Sequence, residues 1–255
     1  MTENKMFYSG SNPAFSANIA ENVMDSSSDS VMTVSGSINK TAACLLLVVL
    51  SSLFSWGLTA QLGLAFVQGA VFTSVVATLV LAVFIIIKRM SPVIKYLVPA
   101  YALFEGLALG SISFYFEQMF PGIVSLALQA TLGCIAVMLG LYKFNVIRVT
   151  EKLRSIIIMS TITVMGIYGI HILLSFFGMN VPIVNSTSEF GILFTGAIVV
   201  LASFNLLLDF EFVEFGAYRQ LPKHMEWYAA FGLMVTIVWL YVELLKLLAK
   251  LQSRK

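Results

Sequence analysis

Charge is scarce in this sequence. Only 11% of its 255 residues are Asp, Glu, Lys or Arg, against about 25% in an ordinary soluble domain. The net charge is +2, too little for a basic field that would hold nucleic acid, and no such partner is expected. Cysteine is almost absent. Cys44 and Cys134 each stand alone in an apolar run, which excludes a disulfide framework and a cysteine-based metal site. Histidine occurs twice, at 171 and 224. There is no G-x-S-x-G, no HExxH and no phosphate-binding glycine loop, and no serine has a base beside it. An intramembrane aspartyl protease needs two membrane aspartates, and the apolar runs hold one, Asp209. The chain is therefore expected to be no enzyme and to need no cofactor.

Apolar residues fill the space that charge leaves. They make up 59% of the chain, and the mean hydropathy is +0.92, which places the protein in a lipid bilayer. A hydrocarbon core of about 30 Å takes roughly 20 apolar residues per helix. Seven spans of that kind are predicted, at about 41–59, 63–87, 95–116, 122–142, 155–177, 190–208 and 227–248. Gln61, Lys88-Arg89 with Ser91-Pro92, Pro121-Gly122, the run from Lys143 to Arg154 and the run from Asn180 to Glu189 interrupt them. The expected fold is thus all-α: one polytopic seven-helix bundle over 40–255 with short loops. Residues 1–39 are rich in Ser and Asn and read as a polar tail with too little apolar surface to fold alone. No secretory signal is expected, because the first apolar run starts at Thr41 and no cationic segment opens the chain.

Lys and Arg set the orientation. They follow span 2 (Lys88, Arg89, Lys95), span 4 (Lys143, Arg148, Lys152, Arg154) and span 6 (Arg219, Lys223), and are missing after spans 1, 3 and 5. This alternation predicts a cytoplasmic N-terminus. Seven crossings then leave Lys246, Lys250, Arg254 and Lys255 on the outer side, against the rule. Either these charges are tolerated there or the last segment dips in and returns.

A charged side chain at the centre of a span costs roughly 2.5–3.5 kcal/mol on insertion scales, so every membrane acid is a candidate. Asp209 closes span 6 in NLLLDFEFVEF, followed by Glu211 and Glu214. These two are either functional or interfacial charges beside Arg219 and Lys223. Glu243 lies in WLYVELLKLL with Lys246 three residues on, within reach on the same helical face. It is either half of an edge ion pair or the partner of Asp209. Two carboxyls sharing a site cannot both ionise cheaply, which would make them a proton sensor. Glu105, in EGLALGSIS, is either neutral and hydrogen-bonded within the bundle or lines an aqueous path. The small residues Gly106, Gly110 and Ser111 allow another helix to approach closely there. His171, in span 5, is either a hydrogen-bonded core residue or a titrating one.

Four stretches resemble the Bax inhibitor-1 family, in its bacterial YccA-like branch. They are SNPAF (Ser11–Phe15) with MTVSGSINKT (Met32–Thr41), the EGLALGSIS of span 3, FNLLLDFEFVE (Phe204–Glu214) and HMEWYAAFGLMVTIVWLYVELLKLL (His224–Leu248). The resemblance implies seven helices with the last packed centrally, in a bacterial inner membrane. It also implies a pH-sensitive calcium leak gated by acids on helices 6 and 7. The helix-6 acid matches Asp209. The helix-7 acid matches Glu243, where the calcium-leak branch has Asp. The basic residue that clamps the helix-6 acid from the end of helix 2 matches Lys88 or Arg89. Bacterial members also restrain a membrane-bound AAA protease, so a non-transporting regulator of another membrane protein is the alternative, with tail 1–39 available for contacts. One geometric difficulty stands out. If helix 7 enters the bilayer at Trp227, Glu243 lies roughly 24 Å deeper and misses Asp209. Contact would require residues 225–234 to project above the bilayer, a displaced helix 7, or a re-entrant last segment.

Overall fold

The computed structural model describes residues 31–179 and 186–254. Within them the chain forms seven helices: α1 Val34–Leu62, α2 Leu64–Ile87, α3 Ile94–Met119, α4 Ile123–Lys143, α5 Glu151–Phe176, α6 Glu189–Tyr218 and α7 Met225–Gln252. Six are long and apolar enough to cross a membrane, and α2 carries a further apolar stretch, Val71–Ile87. An apolar chain without water must satisfy its own backbone, and the helix does so within one segment. The protein is a polytopic helical membrane protein.

The breaks fall where the chain supplies them. Gly63 and Gly122 adopt positive φ (79° and 86°) between neighbouring helices, a region a Cβ disfavours. Thr33, Thr150 and Ser188 cap α1, α5 and α6 through their side chains. Two helices extend well beyond their expected bounds, by a turn or more further than the others do. α1 begins at Val34, within the segment expected to be polar tail, because Thr33 caps it and Ser37 and Thr41 are buried against the bundle. α6 runs on past Asp209 to Tyr218, so LDFEFVEF lies inside a helix. The remainder of the expected tail, residues 1–30, lies outside the described residues.

α7 is the most buried of the spanning helices. It packs on α1, α3, α4 and α6 and reaches α5 through Tyr168 and Glu243, so it occupies the centre. α5 is the least buried and packs mainly on α6. α1 and α3 approach until backbone meets backbone. A Cβ at Gly106 would overlap Ser51 and the Val48 carbonyl, and one at Gly110 would overlap the Ser52 carbonyl. The Ser55 hydroxyl donates to the Leu107 carbonyl at 2.7 Å and lies 2.7 Å from that of Ser111. The small residues of EGLALGSIS thus admit α1, the kind of close contact that binds helices in lipid.

The unbroken α7, about 42 Å long at 1.5 Å per residue, rules out a re-entrant last segment. The starts of α1 and α7 meet: the Met32 amide donates to the Leu221 carbonyl at 2.7 Å, and Thr33 bonds to Glu226. The loops after α2, α4 and α6, which carry the Lys and Arg clusters, share that end of the bundle. The basic residues at the far end of α7 are accommodated by pairing. Lys250, only 8% exposed, donates to the Gly191 carbonyl at 3.2 Å and the Thr195 hydroxyl at 2.9 Å, and Arg254 pairs with Glu189 at 3.3 Å.

Candidate functional site: acids on the central helix

Asp209 projects from α6 toward α7 at a point where α7 has no side chain. A Cβ at Gly232 would lie 3.4 Å from Asp209 Oδ1. One turn further on, Thr236 faces the same carboxyl group. Asp209 Oδ2 is buried without a hydrogen-bond partner among the described residues. An unsatisfied carboxylate oxygen in an apolar bundle costs free energy, and the position is occupied by an acid all the same.

Glu243 is fully buried and saturated. Tyr168 of α5 donates to both its oxygens, at 2.9 and 3.0 Å, and Lys246 pairs with it at 3.0 Å. The Lys246 ammonium also sits 4.6 Å from the centre of the Tyr168 ring. The edge ion pair that the i,i+3 spacing offers is therefore present, although one partner is buried.

The two acids do not share a hydrogen bond. Gly232 and Thr236 face Asp209, and Lys250 faces Gly191 and Thr195. These contacts fix the antiparallel register of α6 on α7. Glu243 lies seven residues past Thr236 on the same helical face, about 10 Å along the axis. An unbroken helix starting at Met225 leaves no way to close that gap. The expected clamp is also open. Lys88 and Arg89 are exposed at the end of α2, form no ion pair among the described residues, and belong to a helix that packs on α3 and α1 rather than α6.

The remaining candidates are dispersed. Glu211 pairs with Arg154 of α5 at 2.7 Å, and Glu214 accepts from the Tyr142 hydroxyl of α4 at 2.7 Å; neither bonds Arg219 or Lys223. Both acids thus tie α6 to its neighbours. Glu105, half-buried on α3, lies one turn from Tyr101, whose ring stands edge-on to Phe231 of α7 at 5.0 Å. His171 is half-buried on α5. No group of His, Cys, Asp or Glu among the described residues could hold a metal ion.

One site escaped the sequence reading. Glu226, in the first turn of α7, is fully buried. It accepts from the Thr33 amide and hydroxyl, both at 2.9 Å, pairs with Lys40 of α1, and pairs with Lys223 at 3.2 Å. Lys40 also lies 5.5 Å from the Trp227 ring centre. Gly36 makes room: a Cβ there would overlap the carboxylate. Among the sequence comparisons, a model of the family described as Bax inhibitor 1 like matches residues 12–253. The chain belongs to that family. No curated protein and no solved structure matches it. In this Bax inhibitor 1 like chain, two of the stretches that carry the resemblance, MTVSGSINKT and HMEWYAAFGL, meet at the Glu226 cluster. Sequence alone hid Glu226 because it follows Arg219, Lys223 and His224 and reads as one more loop charge. The signal was present in Thr33, Gly36 and Lys40, which are spaced to share one face at the start of an apolar helix.

Proposed function

We propose that this protein is a proton-responsive cation leak in which Asp209 of α6 and Glu243 of α7 act as separate acid stations along the central helix. The observation that carries this reading is the Asp209 carboxyl group. It is held inside an apolar bundle with one oxygen unbonded, against the gap left by Gly232. Intramembrane acids are retained at a cost and mark ion and proton pathways. Glu243 supplies a second carboxylate about 10 Å further along, and calcium, a hard cation, favours such oxygens. Membership of the Bax inhibitor 1 like family supports the same direction. The proposed setting is a bacterial inner membrane with the N-terminus in the cytoplasm, from the placement of Lys and Arg. Protonation of Asp209 would remove its charge beside Gly232 and change the energy of a cation passing there. The test is calcium entry into vesicles containing the purified protein and an internal dye. Wild type should show pH-dependent entry, reduced at least tenfold in Asp209→Asn. Equal entry in both at every pH refutes the reading.

The alternative is a non-transporting regulator of another membrane protein such as an AAA protease. It is favoured by α5, whose apolar surface is mostly left uncovered by the bundle. Absent flux in wild type, with a partner protein retained by both wild type and Asp209→Asn, selects it.

A further inference from the structure

We propose that the groove between α1, α4, α6 and α7 binds one anionic phospholipid, its acyl chain inside and its phosphate at Lys143 and Arg148. The groove encloses about 840 Å³, in the range of sites that hold a drug-sized ligand. Its interior is apolar. Val34, Ile38 and Leu45 come from one face of α1, Leu139 from α4, and Leu233 and Ile237 from α7. Its mouth is polar: Tyr142, Lys143, Arg148, Glu211 and Glu214 all line it.

Charge selects the occupant. Both acids at the mouth are already engaged, Glu211 by Arg154 and Glu214 by Tyr142. Lys143 and Arg148 are exposed and make no ion pair among the described residues. With Glu211 paired to Arg154 and Glu214 keeping its charge while it accepts from the neutral Tyr142, Lys143 and Arg148 leave one positive charge in excess at the opening of an apolar slot. The loop between them identifies the depth. Phe144 and Val146 are 77% and 66% exposed, an apolar pair set between Lys143 and Arg148. Such interleaving places a segment at the level of lipid headgroups. A free anion would leave the apolar slot unused, and a zwitterionic lipid would bring its own cation against Lys143 and Arg148. An anionic phospholipid satisfies both halves.

The experiment uses detergent-purified full-length protein, titrated separately with phosphatidylglycerol and phosphatidylcholine and read as bound lipid by native mass spectrometry. Wild type should prefer phosphatidylglycerol about fivefold, the factor that about 1 kcal/mol gives for one basic side chain in excess. Lys143→Gln/Arg148→Gln should abolish that preference and leave phosphatidylcholine binding unchanged. Ala42→Phe, which fills the slot from α1, should lower phosphatidylglycerol binding at least tenfold. Ile38→Trp serves the same purpose should that variant fail to fold. Equal binding of the two lipids by wild type overturns the proposal, as does a preference that survives the double substitution. Unaltered phosphatidylglycerol binding in the slot-filling variants would reduce the effect to bulk attraction by the loop. Full displacement of the lipid by millimolar inorganic phosphate would make the site one for free anions. Either result also overturns it.

Discussion

Substituting Lys40 by Met tests the latch at the start of the bundle. Met keeps much of the apolar stem and removes the ammonium that neutralises Glu226. The carboxylate then remains fully buried, with two bonds from Thr33 and the ion pair to Lys223 at 3.2 Å. Breaking a buried ion pair by removing one partner costs about 3–5 kcal/mol. The remaining donors put Lys40→Met at the lower end, about 3 kcal/mol. For a chain of this size 1 kcal/mol shifts Tm by about 2–4 °C, so a fall of about 6–12 °C is expected. Glu226→Leu removes the charge but orphans the Thr33 amide, at about 1–3 kcal/mol. The double variant should therefore be more stable than Lys40→Met alone, since no buried charge is left unpaired. The chain carries a convenient reporter. Cys44 is fully buried on α1, so with Cys134 replaced by Ala, the rate of maleimide labelling during a thermal ramp in detergent follows unfolding. A Lys40→Met protein that labels at the wild-type temperature would refute the role of the cluster.

Other outcomes follow from the same geometry. Gly110→Leu should prevent α1 and α3 from closing, because even a Cβ there overlaps the Ser52 backbone; loss of a monodisperse peak in gel filtration checks this. Tyr168→Phe deletes the donor to both Glu243 oxygens and should cost about 1.5–3 kcal/mol, read by the same labelling ramp. Thr236→Val removes the hydroxyl that faces Asp209 and should shift the pH midpoint of calcium entry while leaving Glu243-dependent behaviour unchanged.

Much of this molecule follows from arithmetic on the chain. Runs of about 20 apolar residues locate the helices, since the bilayer leaves the backbone no other partner. The small residues of EGLALGSIS announce a close helix contact, and α1 supplies it. The ends of helices were harder to place. Ser35, Ser37 and Asn39 read as polar tail, yet Thr33 caps the helix they belong to and Glu226 binds Lys40, the next residue. α6 outlasts its apolar run because Glu211 and Glu214 find Arg154 and Tyr142 on neighbouring helices. Such partners come from tertiary register, which local pattern does not encode. Even so, the rise per residue already warned that an acid 16 residues beyond Trp227 would lie too deep for Asp209. In the fold Asp209 faces Gly232 rather than the level of Trp227, which shortens the offset to about 10 Å without closing it. The basic tail, troublesome for topology, is explained by Lys250 turning inward to the start of α6.

The separation of Asp209 from Glu243 is the central claim, and a mutant cycle on flux tests it most directly. The pH profile of calcium entry would be measured for Asp209→Asn, Glu243→Gln and the double variant. Sites about 10 Å apart without shared partners should give effects that add within about 0.3–0.5 kcal/mol. A double variant indistinguishable from either single one would mean that the two carboxyls hold one proton between them, and would contradict the separation.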